Sequence, residues 1–188
     1  HEIVHQGQDW SGTDANGEAI TRDAKVDEFA HLMIDGNTQY ISFYDAAEQS
    51  LQLLEGPAGG LVHSVVDASA NVGAWSSLAL NNGTLHIAYQ DLENQDLVTS
   101  TREEGGAFTR TILDDGEYTG ADTELFIRNG EPHVLYFDGK TNDMKIAGPS
   151  DDETEGAWGA QTIAGETAAV GFHNEVAQDL DGVWWAAS

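Results

Sequence analysis

The sequence predicts an all-β fold of repeated four-stranded units, and three observations carry that expectation. One strand–turn–strand–loop–strand pattern recurs four times along the chain. An Asp-Gly or Asn-Gly pair sits at the same place in every copy, and the run after each of the first three copies alternates apolar with polar residues.

The first copy reads His31-Leu32-Met33-Ile34-Asp35-Gly36, then Tyr40-Ile41-Ser42-Phe43-Tyr44-Asp45, then Leu51-Gln52-Leu53-Leu54. The second reads Ser77-Leu78-Ala79-Leu80-Asn81-Asn82-Gly83, then His86-Ile87-Ala88-Tyr89-Gln90-Asp91, then Leu97-Val98-Thr99. The third reads Glu124-Leu125-Phe126-Ile127-Arg128-Asn129-Gly130, then His133-Val134-Leu135-Tyr136-Phe137-Asp138, then Met144-Lys145-Ile146. A looser fourth runs from Glu175-Val176-Ala177-Gln178 through Asp181-Gly182 into Val183-Trp184-Trp185-Ala186. The Asx-Gly pairs supply the positive φ that hairpin turns require. Asp45, Asp91 and Asp138 close the second strands, where a short carboxylate accepts bonds from the backbone of the next turn. Outer fourth strands follow at Leu61–Val66, Phe108–Leu113 and Trp158–Ile163, each patterned to be wet on one face.

Four inner hairpins but only three outer pairs leave the last unit half-made. Two short runs at the other end, Glu2-Ile3-Val4-His5 and Glu18-Ala19-Ile20-Thr21, are the natural complement. The expected architecture is therefore one domain, 1–188: a four-bladed β-propeller of four-stranded antiparallel blades. Its repeats fall at about 24–66, 67–113, 114–163, and 165–188 completed by 1–23. A ring closed by strands from both ends leaves no open edge.

Residues 77–97, and nearly so 124–144, follow S-L-A-L-x-x-G-x-x-H-I-A-Y-x-D-x-x-x-x-x-L. In this the chain resembles a bacterial family of β-propeller repeats, a likeness that spans most of 29–188. The resemblance implies the fold and an exported location. It implies no activity, since such propellers host varied functions.

Composition bounds the partners. At 188 residues with 40% hydrophobic content the chain can bury a core, and five Trp, five Tyr and six Phe argue against disorder. With 33 Asp plus Glu against 7 Lys plus Arg, the formal charge is −26. That charge disfavours nucleic acid and anionic membrane, and no stretch is long and apolar enough for a membrane span. Adaptation to salty surroundings is the alternative account of the charge. No cysteine is present, so disulfides and thiolate metal sites are excluded. The chain begins His1-Glu2-Ile3 rather than with Met, which together with the acidity points to a secreted or cell-surface protein.

Three constellations are candidate sites. The loops joining each outer strand to the next inner strand bring Trp75, Tyr118, Asp122, Phe172 and His173 to one rim. Aromatic faces and carboxylates there suit a carbohydrate, a peptide or a protein surface, while packing between blades is the plainer role of Trp75 and Phe172. His31, Ser77, Glu124 and Glu175 hold one repeat position around the axis. His31, Glu124 and Glu175 could hold a calcium or transition-metal ion, a water-filled channel being the alternative. The carboxylates Glu124 and Glu175 could alternatively serve a hydrolase. His1, with a free amine, could chelate copper. His86 and His133 share a position with Tyr40 and Trp184 and read as packing residues. G-x-S-x-G, H-E-x-x-H and phosphate-cradling glycine loops are all missing, which favours a binding module over an enzyme. Terminal strands could also pair between molecules and give an oligomer.

Overall fold

The structure is a computed structural model that describes residues 10–13, 19–22, 29–150, 158–165 and 170–188. All regular structure among them is β, and no helix is long and apolar enough to cross a membrane.

Each of the first three repeats folds as a four-strand meander, as the alternation and turns require. In the first blade β3 (His31–Asp35), β4 (Thr38–Asp45), β5 (Ser50–Gly56) and β6 (Val62–Asp67) run from the inside outward. The second has β7 (Val72–Asn81), β8 (Thr84–Asp91), β9 (Asp96–Glu103) and β10 (Thr109–Asp114). The third has β11 (Ala121–Arg128), β12 (Glu131–Asp138), β13 (Asp143–Pro149) and β14 (Trp158–Ala164). The fourth holds β15 (Glu175–Gln178) and β16 (Trp184–Ala187), paired only with each other.

Blades stack through apolar faces. Leu51 and Leu53 of the first pack with Leu78, Leu85, Ile87 and Tyr89 of the second. Ala79, Ala88 and Leu113 of the second pack with Leu125, Val134 and Tyr136 of the third. The strand-ending aspartates act as the sequence predicts. Asp45 Oδ1 accepts the Ala47 and Glu48 amides at 2.9 and 3.1 Å. Asp91 Oδ1 takes those of Glu93 and Asn94, both at 3.0 Å, and Asp138 Oδ1 those of Lys140 and Thr141 at 2.9 and 3.1 Å.

The outer-strand aspartates join blades. Tyr89 donates its hydroxyl to Asp67 Oδ2 at 2.6 Å, and Arg110 bridges Asp67 and Asp91 at 3.1 and 2.8 Å. One junction on, Tyr136 donates to Asp114, while Lys145 bridges Asp114 and Asp138 at 3.4 and 2.7 Å. Each of these two seams thus carries a tyrosine, two carboxylates and a cation between them.

The expected closure is not what the described residues form. Ala19–Arg22 (β2) pairs with Trp10–Thr13 (β1), and β1 meets β6 through the single parallel pair Thr13↔Val62. The first sheet is therefore six-stranded, in the order β2-β1-β6-β5-β4-β3, and among the described strands β16 pairs with β15 alone. The physical reason is proximity. A hairpin across a short loop costs little closure entropy, and the β6 edge is nearer in sequence than the far blade. Glu2–His5 lies outside the described residues. A second correction concerns register: one extra residue in the last turn places Trp185, not Trp184, with His86, His133 and Tyr40.

Candidate functional site

The rim is built by a backbone device repeated in all four blades. Phe29, Trp75, Asp122 and His173 each stand two residues before the inner-strand position of His31, Ser77, Glu124 and Glu175. Each has a left-handed backbone, with φ of 64°, 55°, 53° and 62°. For bulky residues this conformation is strained by roughly 1–3 kcal/mol and persists only where surrounding contacts impose it. Here the preceding loop imposes it in the last three. Gly73, Gly120 and Gly171 cross so close to the third strand of the blade before that a Cβ on them would lie 2.8, 2.8 and 3.0 Å from the Cα of Leu51, Leu97 and Met144. Only glycine permits this approach. The bulges that follow, at Ala74/Ser77 and Ala121/Glu124, turn the next side chains inward.

The device gathers aromatic rings from all four blades. Trp75 packs on Phe29 at 4.3 Å and meets Phe172 edge-on at 5.8 Å between ring centroids. Phe172 contacts Phe137 at 4.6 Å and His173 at 6.3 Å, and Phe29 reaches Tyr44 at 6.4 Å. Trp75 is half-buried in this group, whereas Phe172 is 42% exposed and His173 is also exposed. Tyr118 stands apart. It is exposed, and its carbonyl receives the Gly139 amide at 2.9 Å over the neighbouring turn. Asp122 points back into the framework, taking the Asn174 amide on Oδ2 at 2.8 Å.

The inner-strand residues converge electrostatically. Burial pushes the Glu124 carboxyl up to about 7, with the charges of Glu175 and Asp122 adding to the rise. Burial lowers the His31 imidazole from its ordinary value, against the pull of Glu175. His31 Nδ1 and Asn174 Oδ1 are buried without a hydrogen-bond partner. Ser77 Oγ is spent on Thr123 Oγ1 at 2.8 Å. Among the described residues no three His, Asp or Glu side chains approach closely enough to hold a metal ion, and His1 lies outside them. The chain thus offers two carboxyl groups, Glu124 and Glu175, and the His31 imidazole within electrostatic reach of one another.

His86 and His133 take packing positions. His133 stacks on Phe126 at 5.6 Å and places Nδ1 3.1 Å from the Glu131 carbonyl, while burial lowers the His86 imidazole. Sequence reasoning missed Phe29, Phe137 and Asn174. For Phe29 and Asn174 a signal existed: the two residues preceding each inner strand align across the four copies, and that column holds both.

No protein-family model matches the chain, and no curated protein matches it in sequence. In structure it is similar to the exo-β-1,3-galactanase of Phanerochaete chrysosporium, solved with β-1,3-galactotriose, at a TM-score of 0.55 and 13% identity. The superposition covers 93% of this chain and 45% of that one, so the chain spans just under half the length of its neighbour. At such identity the likeness speaks to fold alone: antiparallel sheets in a propeller-like arrangement.

Proposed function

We propose that the chain is an exported carbohydrate-binding propeller module that engages an oligosaccharide on its loop rim. The observation that carries this reading is the aromatic group Phe29–Trp75–Phe172–Phe137, left partly open at Phe172, three residues before Glu175. Sugar rings present an apolar face that stacks on an aromatic ring, and hydroxyls that suit carboxylates. Because the structural neighbour was solved with β-1,3-galactotriose, that trisaccharide is the first ligand to try. Titration calorimetry should detect its binding, or that of another member of a neutral oligosaccharide panel. Phe172→Ala should weaken it at least about tenfold through lost stacking. A panel that binds nowhere, or binds Phe172→Ala as well as the parent, removes the proposal.

A second reading, glycoside hydrolysis, is favoured by one observation: a carboxyl raised to about 7 beside a second carboxylate, Glu124 with Glu175. A carboxyl held protonated near neutral pH can serve as a general acid. Release of reducing sugar by the parent chain, abolished in both Glu124→Gln and Glu175→Gln, would establish it. Equal turnover in the variants would exclude it.

A further inference from the structure

One hydrogen bond repeats at each junction between successive blades. The residue after the left-handed position reaches back to the left-handed residue of the blade before. Ser76 Oγ donates to the Phe29 carbonyl at 3.0 Å, Thr123 Oγ1 to the Trp75 carbonyl, and Asn174 Nδ2 to the Asp122 carbonyl at 2.8 Å. His173 presents the fourth such carbonyl, and no described side chain donates to it. In the first blade the clamp position is Ala30, which has no side-chain donor. The tyrosine that donates to the preceding blade, Tyr89 or Tyr136, is replaced by buried Phe43 in the first blade and by Ser188 in the fourth, so the clamp residue is the contact common to all three junctions.

The onward face of the fourth blade is nevertheless patterned like an interior one. Tyr40, His86 and His133 are half-buried, whereas Trp185 at the same register is 62% exposed. Beside them Ser42, Ala88 and Leu135 are buried and their counterpart Ala187 is exposed.

We propose that the open face of β15–β16 docks a further blade of this repeat class, one with Ser, Thr or Asn at the clamp position. That residue donates to the His173 carbonyl, and the blade covers Trp185 and Ala187. The interface continues the three already present. Ala30, without a side-chain donor, argues against the chain's own first blade as occupant and equally against a second copy, which a charge of −26 also opposes.

The chain lacks cysteine, so Ala187→Cys gives a single reporter thiol. Residues 92–164 appended after Ser188 would extend the β15–β16 sheet by two strands and then supply a blade carrying a second Thr123. Maleimide labelling should slow at least about tenfold relative to the parent, since a covered site reacts only on opening. Appending 92–113 alone should leave it fast, and replacing the appended Thr by Ala should restore part of the rate. An extended chain that labels as fast as the parent, or that fails to unfold cooperatively, overturns the proposal. So does Ala30→Ser in the unextended chain if it slows labelling, because the first blade is then the occupant. Labelling that slows with rising concentration of the parent overturns it in favour of a second copy.

Discussion

Replacing Tyr89 with Phe tests whether the blade seams depend on their tyrosine–carboxylate–cation contacts. Tyr89 is fully buried, and its hydroxyl lies 2.6 Å from Asp67 Oδ2 and 2.9 Å from Ser100 Oγ. Phe fills nearly the same space, so the loss is that of the hydroxyl rather than of packing. A hydrogen bond to a charged partner contributes about 1.5–3 kcal/mol and a neutral one about 1. Asp67 keeps the Ser69 amide at 2.8 Å and Arg110 at 3.1 Å, so the carboxylate is not orphaned. The expected deficit is therefore about 2–3 kcal/mol, below the 3–5 of a broken buried ion pair. For a chain of this size that lowers Tm by about 4–12 °C.

The same contact sets a pH signature. Burial raises the Asp67 carboxyl, but hydrogen bonds from Tyr89 and Ser69, with the Arg110 charge, outweigh it and hold the group below its ordinary value. A depressed folded value gives stability that is complete above the unfolded value, near 4, and lost as pH falls through the folded one. The Tyr89→Phe deficit should thus be full at pH 7 and shrink below about pH 4. Urea unfolding followed by circular dichroism at pH 7, 5 and 3 measures it. A deficit under about 0.5 kcal/mol at pH 7, or one unchanged at pH 3, refutes the assignment.

Two further perturbations follow from the geometry. Glu124 is raised to about 7, so its protonated form favours folding, and that contribution fades as pH climbs from the unfolded value near 4.5 through the folded one. Its share of the stability should fall by up to about 2 kcal/mol between pH 5 and 8, after discounting for solvent. The lowered His31 and His86 imidazoles give an opposite trend, so Glu124→Gln should remove a falling component from the profile in urea titrations. Gly73→Ala sets a Cβ 2.8 Å from the Leu51 backbone at a φ of +113° and should cost at least about 2 kcal/mol. Gly36→Ala, with φ +57° and nothing within 4 Å, should cost about 1, so similar urea midpoints for the two would contradict the close-crossing argument.

The repeat was legible because each blade reuses the same local physics: an Asx-Gly turn, a capping Asp and alternating apolar faces. Asp45, Asp91 and Asp138 are buried carboxylates whose partners are amides two and three residues on, and local spacing can reveal that. The pairing of β1 and β2 was not legible. Four-residue strands carry little register information, and which edge they meet is decided by competition among distant edges. The rim was legible in part. Trp75 and His173 share one backbone conformation two residues before equivalent inner-strand positions and both meet Phe172, whereas Tyr118, counted from loop membership alone, makes none of these ring contacts. Loop membership says which rim a residue is on, not which way its backbone turns it.

That distinction also bears on the acidity. A charge of −26 invites a search for a cationic partner, yet a good part of the carboxylate inventory is architectural. Asp67 and Asp114 are the acceptors through which one blade receives the next, and Arg110 and Lys145 each hold two carboxylates at once. Arg102, tied to Glu55 across the first seam and lying 4.8 Å over the Phe108 ring, does a third such task. With so few cations in the chain, the placement of Arg102, Arg110 and Lys145 at seams neutralises carboxylates inside the stack and leaves few cations for those on the surface. The surface charge keeps copies of the chain apart, and the seam charge keeps the blades of one copy together. Selection for acidity and selection for blade order thus act on the same residue type through different neighbours. The carboxylates to read for function are those answering to neither demand, Glu124 and Glu175.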